Sequence, residues 1–84
     1  MYGRKDPVTC VKGSTLYVVD RTLMCLLELV VSEVTRSDYY TEVIAYDGCG
    51  NLHSYYAEDF GRVVFTHKQT AEGRLRQYLK RFYK

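Results

Sequence analysis

The chain has 84 residues, of which 46% are hydrophobic, and its formal net charge is +2 at pH 7. This length fits one domain with a small core, and the apolar content excludes intrinsic disorder, which needs low hydrophobicity and high net charge. The polar N-terminus and the short apolar run at 23–31, interrupted by Glu28, favour neither a secretory signal nor a membrane span. We predict a single domain over 1–84, in which residues 1–7 form a flexible arm.

Cysteines and histidines offer little chemistry. Cys10, Cys25 and Cys49 are odd in number and lack a C-x-x-C spacing, so they are expected to be free thiols in a reducing compartment. His53 and His67 are the only histidines, and their spacing supplies no set of three or four zinc ligands. We therefore predict no metal site, no cofactor and no enzymatic activity.

The first strands are predicted from β-branched and aromatic residues that are bounded by turn-forming residues. Residues 15–20, T-L-Y-V-V-D, have this composition, and residues 8–12 are expected to form a shorter strand before them. Residues 12–14 mark a turn between the two, and residues 20–22 turn the chain again. The barrel is expected to occupy residues 8–65.

The segment 23–36 has two interpretations. Its leucines suit a helix, but β-branched residues at 30, 31, 34 and 35 and the lack of a convincing cap favour a strand. A β-bulge near 31–34 would restore the inward phase of the strand and bend it, as a small barrel requires. Alternation places one set of side chains on a common face: Leu23, Cys25, Leu27, Leu29 and Val31.

The next part of the chain has the pattern of a hairpin followed by a corner. Gly48 and Gly50 supply the positive φ angles that a tight turn needs. The predicted elements are a strand at 39–47, a turn at 47–51, a strand at 52–56, a corner at 59–61 and a last strand at 62–65.

From residue 66 the apolar period changes from two to 3.6, which predicts an amphipathic helix over 66–83. Either Thr66 or His67 begins the helix, and with Thr66 as N-cap Gln69 would lie at N3 and complete a capping box. The apolar stripe consists of Ala71, Leu75, Tyr78, Leu79 and Phe82. The opposite arc carries the basic residues Arg74, Arg76, Lys80, Arg81 and Lys84.

Charge and tyrosine are unevenly distributed. Residues 62–84 hold seven Lys and Arg against Glu72 alone, whereas residues 1–61 hold five basic and nine acidic residues. Of nine tyrosines, four form the pairs at 39–40 and 55–56, and strand alternation would turn one ring of each pair outward. For the basic helix residues, the alternative to partner binding is an ordinary solvated surface. For the tyrosines, the alternative is that the rings cover the core of a small barrel. The candidate partner-binding residues are Arg74, Arg76, Lys80, Arg81, Lys84, Tyr39 and Tyr55.

The segment D-F-G-R-V-V-F at 59–65, followed by A-E-x-x-L at 71–75, resembles the ending of a group of uncharacterised small proteins from Firmicutes, gut metagenomes and their phages. Their pattern is D-F-G-K-x-V-F-L-T-x-E-E-A-E-x-x-L. The resemblance implies an α+β, mainly β, fold: a small SH3-like antiparallel barrel of about five strands with one C-terminal helix. The chain departs from the pattern at His67, Gln69 and Thr70, where the family has a capping Thr and two acidic residues.

The function that these features favour is a non-enzymatic binding module, encoded by a phage or mobile element, that acts on nucleic acid or a nucleoprotein complex in the cytoplasm of a bacterial host cell. The alternative is a protein–protein inhibitor of a bacterial defence system, similar to an anti-CRISPR protein, whose partner is a host protein. A homodimer through an exposed strand edge is a further hypothesis.

Overall fold

Five antiparallel strands curl into a half-barrel, and a single helix follows them. The computed structural model describes residues 8–82. The strands are β1 (Thr15–Asp20), β2 (Cys25–Arg36), β3 (Thr41–Tyr46), β4 (Leu52–Tyr56) and β5 (Val64–Phe65), and the helix is α1 (Lys68–Phe82). The sheet order is β4-β3-β2-β1-β5, so that a four-strand meander is completed by β5 returning beside β1. This architecture confirms the predicted fold class, a small mainly β barrel with one C-terminal helix.

The long strand β2 is bent, as its pattern predicts, and the helical alternative is wrong. Its pairing with β3 shifts register between Val31 and Glu33. The extra residue changes the phase of the strand, and as a result Val34 packs against the same core as Leu29 and Val31. The bulge therefore keeps side chains on both sides of it, Leu29 and Val34, directed at the same core.

The strand begins at Cys25 and not at Leu23, because the preceding turn is longer than predicted. The Asp20 carboxylate accepts hydrogen bonds from the backbone N–H groups of Thr22 and Leu23, at 2.9 and 3.0 Å. Met24 then adopts a φ of 54°, a left-handed conformation that ends the turn. Leu23 is consequently exposed and does not share the inward face.

Apolar side chains cover both faces of β1. Leu16 and Val18 point into the barrel, whereas Val19 points to the opposite face, where it meets Phe65 of β5 and Ala71 of α1. Strand alternation produces this division, and the helix is needed because the outer side of β1 and β5 would otherwise be exposed. The buried members of the barrel core are Val8, Cys10, Leu16, Val18, Leu29, Val31, Val43, Ala45 and Val64.

Three predicted strand boundaries differ from the structure. Residues 8–12 form no strand, although Val8 and Cys10 are buried in the barrel core. β3 starts at Thr41, because the Ser37 hydroxyl accepts hydrogen bonds from the N–H groups of residues 39 and 40 and thereby holds them in a loop. β5 is limited to two residues, because the corner continues past Gly61 to Val63, where the N–H groups of Arg62 and Val63 donate hydrogen bonds to the Asp59 carbonyl at 3.2 and 3.0 Å.

The helix begins at Lys68, and the predicted capping box at Thr66 is wrong. The His67 carbonyl accepts the first helical hydrogen bond, from the N–H of Ala71 at 3.2 Å. The Thr66 hydroxyl instead lies 3.1 Å from Nδ1 of His67. The predicted arm at 1–7 and the predicted last helical residue, 83, lie outside the described residues. Within 8–82 no helix has the length and apolar character that crossing a membrane requires.

Candidate partner-binding surfaces

One side of α1 presents basic side chains to solvent. The helix docks through Ala71, Leu75 and Tyr78 onto Val19 of β1 and Phe65 of β5. Four basic side chains of α1 are exposed and form no ion pair within the described residues. They are Lys68 in the first turn of the helix and, further along it, Arg76, Lys80 and Arg81. We call Arg76, Lys80 and Arg81 the basic helix face.

One of the predicted basic residues, Arg74, is not part of this face. Arg74 is half-buried, and its guanidinium donates a hydrogen bond to the Gly61 carbonyl at 3.3 Å. The same guanidinium lies 5.9 Å from the centre of the Phe65 ring, so Arg74 ties the helix to the corner before β5. Lys84 lies outside the described residues.

The two predicted tyrosines lie in different environments. Tyr39 is 94% exposed, in the loop before β3. Tyr55 is half-buried against the barrel core, with its ring parallel to that of His53 at 6.3 Å between centroids. Burial, reinforced by the charges of Asp59 and Asp20, raises the pKa of the Tyr55 phenol. The outward ring of that pair is therefore Tyr56.

A surface that the sequence did not reveal lies on the outer side of β2, β3 and β4. Alternation along β3 turns Glu42, Ile44 and Tyr46 outward, because Thr41, Val43 and Ala45 are buried. The strand register aligns these with outward residues of the neighbouring strands. We name this surface the tyrosine–glutamate face, and its members are Val30, Glu33, Tyr40, Glu42, Ile44, Tyr46, Leu52 and Tyr56.

Side-chain contacts hold the tyrosine–glutamate face in place. The Tyr40 and Tyr56 rings meet edge to face, with centroids 6.1 Å apart. The Ser54 hydroxyl donates a 2.6 Å hydrogen bond to the Glu42 carboxylate. The T-E-V-I-A-Y alternation at 41–46 was the available signal in the sequence, but only the register shows which side chains of β2 and β4 lie beside it.

The Asp and Glu residues of the segment that holds β3 and β4 are not balanced by any basic residue of that segment. Residues 37–61, which include β3, β4 and their loops, contain no Lys or Arg. They contain five carboxylates: Asp38, Glu42, Asp47, Glu58 and Asp59. A surface of this sign repels phosphates and attracts cations.

The β3–β4 hairpin is organised around Asp47. Its carboxylate accepts hydrogen bonds from the backbone N–H groups of Cys49 and Asn51, both at 2.9 Å, and lies 2.9 Å from Nε2 of His53. The bond with His53, followed by that from the Asn51 N–H, holds the pKa of the Asp47 carboxyl well below its ordinary value of 3.8. The Asp47 side chain thus acts as the internal acceptor of the hairpin loop.

We expect Asp47→Asn to lower the urea midpoint at about pH 6 and to lower it by a smaller amount near pH 2. Because the folded pKa is lowered, the carboxylate contributes its full stability above the unfolded pKa of about 3.8, and that contribution declines progressively as the pH falls from there toward the folded pKa. Urea titrations at both pH values provide the measurement. Asp38→Asn, in the exposed loop before β3, is the matched control, and an equal effect of the two substitutions would contradict the prediction.

The described residues were expected to hold no metal site. Among them no three His, Cys, Asp or Glu side chains are grouped as metal ligands would be. No disulfide joins the cysteines: Cys10 is buried, Cys25 is half-buried and Cys49 is exposed in the hairpin loop. An open cavity of about 210 Å³ lies beside the start of α1, and His67 is the one titratable residue among those that line it: Phe60, Gly61, Val64, Phe65, Thr66, His67 and Thr70.

Comparison with protein-family models, with curated proteins and with solved structures found no match for this chain. The resemblance of residues 59–75 to small proteins of Firmicutes and their phages therefore stays a prediction. A proposal for the function has to be argued from the basic helix face and the tyrosine–glutamate face.

Proposed function

We propose that this chain is a non-enzymatic binding module that contacts nucleic acid, alone or within a nucleoprotein complex, through the basic helix face. The observation that carries the proposal is the exposure of Arg76, Lys80 and Arg81 on one docked helix, without an ion pair among the described residues. Free cations on a rigid element can neutralise phosphates and release the counterions condensed on them. The first turn of α1 has no acidic residue that would oppose such contacts.

The helix is rigidly placed for this role. Ala71 is fully buried where α1 crosses β1 and β5, and the guanidinium of Arg74 joins the helix to the Gly61 carbonyl. The cations therefore project from a fixed scaffold and lose less conformational freedom on binding than they would on a disordered tail. The contacts are to the backbone of the nucleic acid and carry no base preference by themselves.

The test is fluorescence anisotropy with short duplex and single-stranded DNA and RNA over a series of salt concentrations. Three phosphate contacts predict a slope of about −2 to −3 for the logarithm of affinity against the logarithm of salt concentration. Lys80→Gln is expected to reduce the magnitude of this slope by about one. Lys12→Gln, which removes the same charge from the turn before β1, is the control.

Absence of binding at low salt, or binding without a salt slope, would exclude a nucleic-acid function. Equal effects of Lys80→Gln and Lys12→Gln would show that net charge, and not the helix face, is responsible. Circular dichroism of each variant checks that the fold is retained.

A second candidate is an inhibitor of a bacterial defence complex that acts by occupying a protein surface. The specific observation that favours it is the absence of Lys and Arg from residues 37–61, where acidic and exposed tyrosine side chains lie together. Acidic groups of this kind can compete with phosphates for a basic channel. Co-purification of the tagged chain with a host nuclease or other defence effector would support this function, and failure to bind any such effector would remove it.

A further inference from the structure

We propose that the tyrosine–glutamate face is a docking surface for an arginine-rich segment of another protein. The inference concerns a surface separate from the basic helix face, so it does not depend on whether α1 contacts nucleic acid. It rests on three features of the face: exposed apolar area, uniform negative charge, and the placement of carboxylates beside aromatic rings.

Large apolar and aromatic side chains of the face are exposed together. Val30, Tyr46 and Leu52 are register partners on three neighbouring strands, so they form one row across the sheet. Tyr40 and Tyr56 form a second group beside Glu42. These five side chains are 43–61% exposed, although α1 packs against β1, β5 and part of β2 in the same sheet. Contiguous exposure of this kind is typical of protein interaction sites.

The charge of the face selects the class of partner. Its charged members are Glu33 and Glu42, and the surrounding residues 37–61 add carboxylates without any Lys or Arg. Phosphates would be repelled, which disfavours stacking of nucleic-acid bases on these tyrosines. A second copy that paired along the edge of β4 would bring two copies of the acidic segment 37–61 together, which disfavours self-association. A cationic protein segment complements both the negative charge and the exposed apolar side chains of the tyrosine–glutamate face.

Arginine fits the face better than lysine. A guanidinium can lie over a tyrosine ring and also donate two parallel hydrogen bonds to a carboxylate, whereas an ammonium is a more strongly hydrated point charge. Glu42 and Tyr56 are register partners, and the Ser54 hydroxyl holds the Glu42 carboxylate in position. The chain already contains such a contact elsewhere, with the Arg21 guanidinium 5.1 Å from the centre of the Tyr78 ring.

The experiment titrates the full chain, labelled with ¹⁵N, with an oligo-arginine peptide and with an oligo-lysine peptide of equal length. We expect the amide shifts to change along β3, β4 and the loop before β3, and the arginine peptide to bind about threefold or more tightly than the lysine peptide. Glu42→Gln, which keeps an acceptor for Ser54, is expected to weaken binding about two- to fivefold. Tyr46→Ser is expected to weaken it about tenfold.

The matched control is Glu72→Gln, because it removes the same charge from α1 and leaves the face intact. Equal weakening by Glu42→Gln and Glu72→Gln, or shifts that map outside the face, would overturn the proposal. A concentration-dependent sedimentation coefficient with β4 amides protected from exchange would also overturn it, in favour of a second copy. The same Glu42 and Tyr46 variants should leave the salt slope for DNA unchanged, so failure here and failure of the helix proposal are distinguishable.

Discussion

Leu29→Ala is expected to lower the free energy of unfolding by about 2–5 kcal/mol. Leu29 lies on β2 opposite Leu16 of β1, and both side chains are fully buried at the centre of the barrel core. Truncation removes buried methyl groups and leaves a cavity that two flanking strands cannot close without breaking their pairing. Because a domain of this size has a total stability near the lower end of about 5–15 kcal/mol, the loss is a large fraction of the whole.

Urea unfolding followed by circular dichroism measures this loss. Leu52→Ala is the control, because Leu52 is 61% exposed on β4 and its truncation should change the free energy of unfolding by no more than about 0.5 kcal/mol. A similar unfolding midpoint for both variants would contradict the assignment of Leu29 to the core.

Ala71→Asp is expected to detach α1 from the sheet or unfold the domain. Ala71 is fully buried against Val19 and Phe65, so a carboxylate there would be desolvated without a partner, at a cost of several kcal/mol. The free energy of unfolding should fall by at least about 3 kcal/mol, and the salt slope for DNA should decrease if the docked helix carries the nucleic-acid contact.

The control for Ala71→Asp is Gln77→Asp, which makes a similar change on the exposed side of the same helix. That substitution should cost less than about 1 kcal/mol, since the aspartate stays in water and only helix propensity changes. Far-ultraviolet circular dichroism and urea titration of the two proteins give the comparison. Equal stability of the two variants would show that α1 is not packed through Ala71.

Local patterns predicted most of the elements because the residues that encode them are close in sequence. The two glycines at 48 and 50 identified the β3–β4 turn, although only Gly50 adopts the expected positive φ, at 85°. The phase slip after Val31 identified the bulge in β2. The change from period two to 3.6 located α1, although its start was misplaced. Of the two possible starts, Thr66 and His67, the structure selects His67, because its carbonyl accepts the first helical hydrogen bond.

The candidate sites were predicted less well, because exposure is a property of packing. The position of Arg74 around the helix predicted that it would face solvent with the other basic residues. Its guanidinium instead contacts the Gly61 carbonyl and the Phe65 ring of the preceding segment. Tyr39 and Tyr40 were expected to point to opposite faces of a strand, but hydrogen bonds to the Ser37 hydroxyl keep both in a loop, where both are exposed. Neither contact has a counterpart in the periodicity of the sequence.

By itself, the sequence of this protein determined the β-rich class, the single C-terminal helix and the separation of basic from acidic residues along the chain, because these depend on residue type and short-range period. The tertiary structure alone decided which strands are neighbours, and therefore that Val30, Tyr46 and Leu52 share one exposed row while Leu16 and Leu29 share the core. The physical reason is that strand register joins residues far apart in sequence, and a shift of one residue would exchange the inner and outer faces.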